Sequence, residues 1–162
     1  MSERLVDGST ILLDVEGETK EEILTKMGRN LVENKLVKES FIDAVVAREG
    51  EFPTGLPTGS VSVAIPHTDV EHVRKKTISV AVLREPVKFG VMGGDETETT
   101  PVKIVFMLAM DEAHSQLNLL QQLMQIFQSE EKLMKIVNAT NQTELKTLLQ
   151  ENLAQPSLKG GE

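Results

Sequence analysis

The chain carries three histidines, His67, His72 and His114, and no cysteine. Thiol nucleophiles, disulfides and thiolate metal sites are therefore excluded together, and any chemistry falls to imidazole, hydroxyl and carboxylate groups. His67 follows Ala64-Ile65-Pro66, where an apolar run is stopped by proline. The end of a buried strand is where open α/β sheets place their ligands. With an ordinary pKa of about 6.5, an imidazole there keeps a substantial neutral fraction near pH 7, so one ring nitrogen can attack while the other is held by a hydrogen bond. The competing reading is a strand-end histidine bonded to backbone.

The other candidates gain meaning beside His67. His114 falls at about the third residue of a helix, where backbone N–H groups and the helix dipole favour an anion; the alternative is a solvent-facing residue beside Asp111 and Glu112. Arg48 closes a helix just before a Gly/Pro-rich stretch, and its guanidinium could fork onto phosphate oxygens or simply complement the helix dipole. In that stretch Thr54, Gly55 and Ser60, with Thr58 and Gly59, offer N–H and hydroxyl donors, although their spacing is not that of a Walker loop. His67-x-Asp69-x-x-His72 also has the composition of a metal cluster. No further His or Cys group completes a closed site, so that chemistry is the minor alternative and no metal or other cofactor is expected.

These residues need elements to position them. Residues 11–15 read as a strand. Thr19 and Glu22 have the capping-box spacing of a helix start, and Ile23, Leu24, Met27, Leu31 and Val32 form its stripe to about residue 34. A second helix over residues 38–49 buries Phe41, Ala44, Val45 and Val46. Residues 50–60 hold three glycines and two prolines and read as an ordered loop that breaks helix and strand alike. Residues 61–65 form a strand, and residues 77–83 and 102–110, apolar at successive positions, read as central strands buried on both faces. Residues 93–100 read as an exposed turn.

Asp111 is placed to cap a helix from about residue 112, with Leu117, Leu120, Met124 and Phe127 as its apolar stripe and glutamines 116, 121, 122, 125 and 128 on the wet side. Helices over residues 129–137 and 142–153 follow. If the strands before His67 and His114 are neighbours, both histidines share one edge of the sheet. The fold class is α/β, a mixed central sheet with helices on both faces. Residues 1–153 read as one domain and residues 154–162 as a disordered tail.

Composition narrows function. At 162 residues the chain can bury roughly 70% of its unfolded surface. Its net charge of −8 is the wrong sign for a nucleic-acid backbone, and its five aromatics, all Phe, leave few stacking platforms. The longest apolar runs fall well short of a membrane span, and the amino terminus has no secretory pattern, so a cytoplasmic location with no membrane insertion is expected.

Taken jointly, Ala47-Arg48-Glu49, Pro53-Thr54-Gly55-Leu56, Ala64-Ile65-Pro66-His67 and His114 opening a Gln/Leu-rich helix resemble the type-2 enzyme IIA of the bacterial sugar phosphotransferase system, from about residue 8 to 153. Glu51-Phe52-Pro53-Thr54-Gly55 and Pro66-His67 followed by His72 are most similar to galactitol-type members. The resemblance implies a phosphoryl carrier: Nε2 of His67 takes phosphate from phospho-HPr and passes it to a cysteine of enzyme IIB, which works with enzyme IIC in the membrane. Arg48 and His114 match positions that support transfer. Many relatives have Gly after the histidine where this chain has Thr68-Asp69, which leaves His72 as a possible accessory residue. A regulatory relay of the nitrogen-type enzyme IIA kind shares the motif and is the alternative function.

Overall fold

The computed structural model describes residues 8–58 and 61–153. Its five strands are β1 (Ile11–Val15), β2 (Gly55–Thr58), β3 (Val61–Ala64), β4 (Thr77–Gly90) and β5 (Thr99–Ala109), and its five α-helices are α1 (Lys20–Glu33), α2 (Ser40–Glu51), α3 (Ala113–Phe127), α4 (Glu130–Val137) and α5 (Gln142–Asn152). The strands form one mixed sheet in the order β1-β4-β5-β3-β2. β1 runs parallel to β4 and β3 parallel to β5, while the β4–β5 and β2–β3 pairs are antiparallel.

Period-two alternation along β5 splits the core in two. Ile104, Phe106 and Leu108 face a cluster completed by Leu119 and Leu123 of α3, Ile136 of α4 and Leu145 of α5. Val105, Met107 and Ala109 face the opposite cluster, built with Ile23, Leu24 and Met27 of α1 and Phe41 and Val45 of α2. Both faces of the sheet are thus covered, as expected from strands that are apolar at successive positions. The Phe106 and Phe127 rings, 5.1 Å apart, lock the end of α3 onto β5. Local capping agrees with the sequence: Thr19 accepts from the Glu22 N–H, Ser129 from Lys132 and Asn141 from Glu144.

The structure corrects several expectations. Residues 55–58, read as loop, form β2. This strand is at the sheet edge, where the missing N–H of exposed Pro57 costs no interior ladder bond. β4 runs on to Gly90, past Pro86, because a register shift between Val82 and Val87 carries the strand around the proline. Thr99 and Thr100 consequently belong to β5 rather than to the preceding turn. At α3 the capping position is Glu112, without a side-chain cap bond, in place of Asp111.

The buried stripe of α3 is Leu119, Leu123, Ile126 and Phe127, whereas Leu117 and Met124 lie 57% and 40% exposed. Gln116 and Gln122 are correspondingly half-buried rather than fully wet. Two stripes of helical spacing coexist in this sequence, and docking on the sheet chooses between them, which periodicity alone cannot do. The expected tail, residues 154–162, lies outside the described residues.

Candidate functional site

β3 and β5 are adjacent and parallel, with Ala64 opposite Val105, so their carboxyl ends open on the same edge of the sheet. The two chains stay joined just beyond, where the Leu108 N–H donates to the Pro66 carbonyl at 3.0 Å. His67 follows on the β3 side, and His114 stands on the first turn of α3 after β5, exposed. The expected shared edge is thereby realised. It follows from strand order, which the sequence does not state.

His67 is half-buried, and its Nδ1 lies 2.9 Å from the Ile65 carbonyl. A carbonyl only accepts, so in the neutral ring Nδ1 carries the proton and Nε2 keeps its lone pair. Burial, followed by the positive charge of Arg48, holds the pKa of His67 below the ordinary histidine value; the Ile65 bond acts the other way and is outweighed. A neutral, nucleophilic Nε2 near pH 7 is the result.

Arg48 occupies the last turn of α2. Its guanidinium carbon sits 5.1 Å from the ring centroid of Phe52, which is 55% exposed. Its Nε is shielded from solvent and donates to no acceptor among the described residues. A buried donor left unpaired is costly, so this one is poised to receive an incoming anion.

Glu49 is the residue that sequence reasoning missed. It is 1% exposed, and both carboxylate oxygens bind Thr54: the backbone N–H donates to Oε2 and the hydroxyl to Oε1, each at 2.8 Å. Burial raises its pKa to about 7, against the lowering effects of the two Thr54 bonds and of Lys20 and Arg48. The signal was in the sequence: Glu49 lies four residues beyond Val45 and eight beyond Phe41, on the apolar stripe of α2.

The expectation that Thr54 and Gly55 donate to phosphate meets a different arrangement. Both Thr54 donors go to Glu49, and its hydroxyl oxygen accepts the Ile65 N–H at 3.1 Å. Gly55 is buried, its carbonyl accepts from Met92, and a Cβ there would come within 2.5 Å of the Gly90 oxygen. Close strand packing explains that glycine. Ser60 lies outside the described residues.

His72, the possible accessory, is turned elsewhere: its Nδ1 is 2.8 Å from the Ser40 hydroxyl at the start of α2, and its Nε2 is 3.7 Å from Glu71. Thr68, the residue after His67, is buried. Among the described residues, no group of three or more His, Cys, Asp or Glu side chains could hold a metal ion, and no helix is long and apolar enough to cross a membrane.

The galactitol-specific EIIA component of Escherichia coli, in each of three strains, is 31% identical over 101 residues, or 62% of this chain, and the match spans 66% of that relative's length. The solved mannitol IIA of Escherichia coli superposes with a TM-score of 0.71 at 26% identity, covering 89% of this chain and 98% of that one. A complex of mannitol enzyme IIA with phosphorylated mannitol enzyme IIB, also from Escherichia coli, gives 0.72 at 25% identity, over 89% of this chain and 96% of that one. The family model of the phosphoenolpyruvate-dependent sugar phosphotransferase system, EIIA 2, matches residues 4–152, and the chain belongs to that family.

Proposed function

We propose that this protein is a phosphoryl carrier that takes phosphate from phospho-HPr on Nε2 of His67 and delivers it to a cysteine of an enzyme IIB, in the uptake of galactitol or a related sugar. The observation that carries the reading is the pairing of a ring whose Nδ1 is committed to the Ile65 carbonyl with an arginine whose buried Nε has no acceptor among the described residues. In the first step the N–P bond to Nε2 forms as the N–P bond of the donor breaks. In the second an S–P bond forms on the acceptor thiolate as the His67 N–P bond breaks.

Neither step needs a cofactor, since phosphoryl transfer asks chiefly for in-line positioning and compensation of charge on the equatorial oxygens. Arg48 supplies that charge. His114, on the first turn of a helix at the same sheet edge, is the second candidate donor. The exposed apolar side chains Phe52, beside Arg48, and Leu117, one turn beyond His114, suit brief contact with successive protein partners. The galactitol assignment draws on the 31% identical relative and on the Glu51-to-Gly55 segment.

Incubation with phosphoenolpyruvate, enzyme I and HPr, followed by mass spectrometry, tests the reading. One acid-labile, base-stable phosphate on His67 is expected, absent from His67→Ala. Phosphate retained by His67→Ala, or found on His72 or His114 instead, overturns it. Discharge of the phosphoprotein by a galactitol enzyme IIB separates transport from a regulatory relay, which would use the same histidine but leave that acceptor unphosphorylated.

A further inference from the structure

Carrier chemistry at His67 makes no direct use of Glu49, yet a carboxylate this deeply buried beside the site calls for an account. We propose that Glu49 is a positioning residue for phosphoryl transfer, acting through Thr54 and Ile65 to fix the tautomer and aim of the His67 ring; this deepens, and rests on, the carrier reading.

The connections are continuous. The carboxylate of Glu49 receives both donors of Thr54, the Thr54 hydroxyl oxygen receives the Ile65 N–H, and the Ile65 carbonyl receives Nδ1–H of His67. Ile65 is therefore gripped on its amino side and grips the histidine on its carbonyl side. Rotation of the Ile65–Pro66 peptide, which carries the carbonyl and is set by the backbone angles of the Ile65 that Thr54 anchors, would release Nδ1 and allow the proton to move to Nε2, which would block the nucleophile. A hydroxyl at residue 54 alone would rotate freely; donating to Glu49 fixes its O–H so that a lone pair stays turned toward the Ile65 N–H.

Ionisation makes both oxygens of Glu49 full acceptors, whereas protonation turns one into a hydroxyl and loosens one of the two Thr54 bonds. The charged groups acting on this carboxylate are Lys20, at the start of α1, and Arg48 beside it, both favouring ionisation, while burial opposes it. The grip on His67 consequently tightens as pH rises through about 7, the value to which burial brings Glu49. Protonation of Glu49 and protonation of His67 both weaken transfer at low pH, the histidine being held below its ordinary value by burial.

The test uses the full chain as wild type, Glu49→Gln, Thr54→Val and Thr54→Ser, with imidazole nitrogens, the Glu49 carboxyl carbon and the Ile65 amide observed by NMR. In the wild type, the Ile65 amide and the His67 ring signals should move with the same apparent pKa as the Glu49 carboxyl, and the ring should be the Nδ1–H tautomer. This measurement needs no variant to fold. Thr54→Val should mix the two tautomers and slow transfer from phospho-HPr about 10- to 100-fold, the effect of a lost positioning contact, with Thr54→Ser restoring it.

The ratio of wild-type to Glu49→Gln transfer rates should fall as pH is lowered through about 7, a ratio in which the titration of HPr cancels. A wild-type tautomer and wild-type rates in both Glu49→Gln and Thr54→Val would overturn the proposal, as would an Ile65 amide indifferent to the carboxyl titration. If instead the wild type accepts no phosphate on His67, the carrier reading fails, and the tautomer populations of the unphosphorylated variants still decide whether Glu49 orders the ring.

Discussion

The two ends of α2 address two histidines that lie on one short segment, and they do so in opposite ways. At the amino end, Ser40 engages Nδ1 of His72 and Glu71 sits near its Nε2, while the His72 carbonyl accepts from Lys38, so the residue is tied into the surrounding chain. At the carboxyl end, Arg48 places its charge near His67, and Glu49 organises the backbone that holds that ring by a single nitrogen. The imidazole is the same group in both places. A histidine with partners on both sides is a strut; one held on Nδ1, half-buried and near a guanidinium whose Nε has no acceptor among the described residues, is a nucleophile in waiting.

The largest expected effect breaks the reactive end. Arg48→Ala removes the nearby positive charge and the spare donor together, and transfer to and from His67 should slow roughly 10- to 1000-fold, the range for loss of one donor that stabilises developing charge. His114→Ala should slow it within the same range if its ring faces the transferring group. The fold should survive: the direct side-chain contact removed is that with the exposed Phe52 ring, worth about 0.5–1 kcal/mol, together with the favourable effect of the charge on Glu49. Rapid-quench transfer rates with phospho-HPr and enzyme IIB check both variants, and wild-type rates would reduce Arg48 to a helix-end charge and His114 to a surface residue.

How much of this was legible in the sequence differs between the two ends as well. His67 was readable because Pro66 stops an apolar run, and Arg48 because it precedes a Gly/Pro-rich stretch; both are local punctuation. The sheet order that sets β3 beside β5 is long-range, so the strands alone give the shared edge of His67 and His114 only on the condition that the two are neighbours. Glu49 was passed over because a carboxylate in a last helical turn reads as solvated, although its spacing from Phe41 and Val45 puts it on the buried stripe. Thr54 and Gly55 read as ligand donors because turn-forming residues look alike whether their groups face a ligand or the protein's own backbone. The stripe of α3 was ambiguous for a different reason, since two faces of that helix are apolar and tertiary packing alone breaks the tie.

A second comparison is energetic. The reactive end keeps a carboxylate that would be cheaper to leave in water. With its folded pKa at about 7 against an ordinary 4.5, Glu49 binds its proton more tightly in the folded state, so its contribution to stability is fully present below about pH 4.5 and is lost as pH rises through about 7. The span corresponds to on the order of 3 kcal/mol. His67 works with the opposite sign: its lowered pKa favours the folded state above its ordinary value and is unfavourable as pH falls below it. Urea unfolding of wild type and Glu49→Gln between pH 4.5 and 9 isolates the carboxylate, because both chains carry the histidine. Relative to the variant, the wild type should lose stability as pH rises; a constant difference would mean that Glu49 is solvated in practice.

Packing behind the reactive end gives the next effect in size. Gly55→Ala drives a methyl group to within 2.5 Å of the Gly90 oxygen and 3.2 Å of Thr100, and overpacking of this kind costs about 1–3 kcal/mol. Because residue 55 adjoins Thr54, some loss of transfer should accompany the fall in unfolding midpoint. Unchanged stability would show that β2 moves outward freely at the sheet edge.

The smallest effect belongs to the structural end and is the sharpest test of the contrast. His72→Ala removes the side-chain bond to Ser40 and the weak contact with Glu71, but leaves the Lys38 N–H to His72 carbonyl bond and the Val37–Val73 bridge, both made by backbone. Ser40 is exposed, so its released hydroxyl turns to water rather than remaining unpaired. The expected cost is therefore that of one ordinary hydrogen bond, about 0.5–1.5 kcal/mol in urea unfolding. Transfer rates should stay close to wild type, because the helix end that carries Arg48 and Glu49 lies more than two turns away from Ser40. A large loss of transfer in His72→Ala, with unfolding at its wild-type midpoint, would place the second histidine in the phosphoryl site and erase the division of labour between the two ends of the helix.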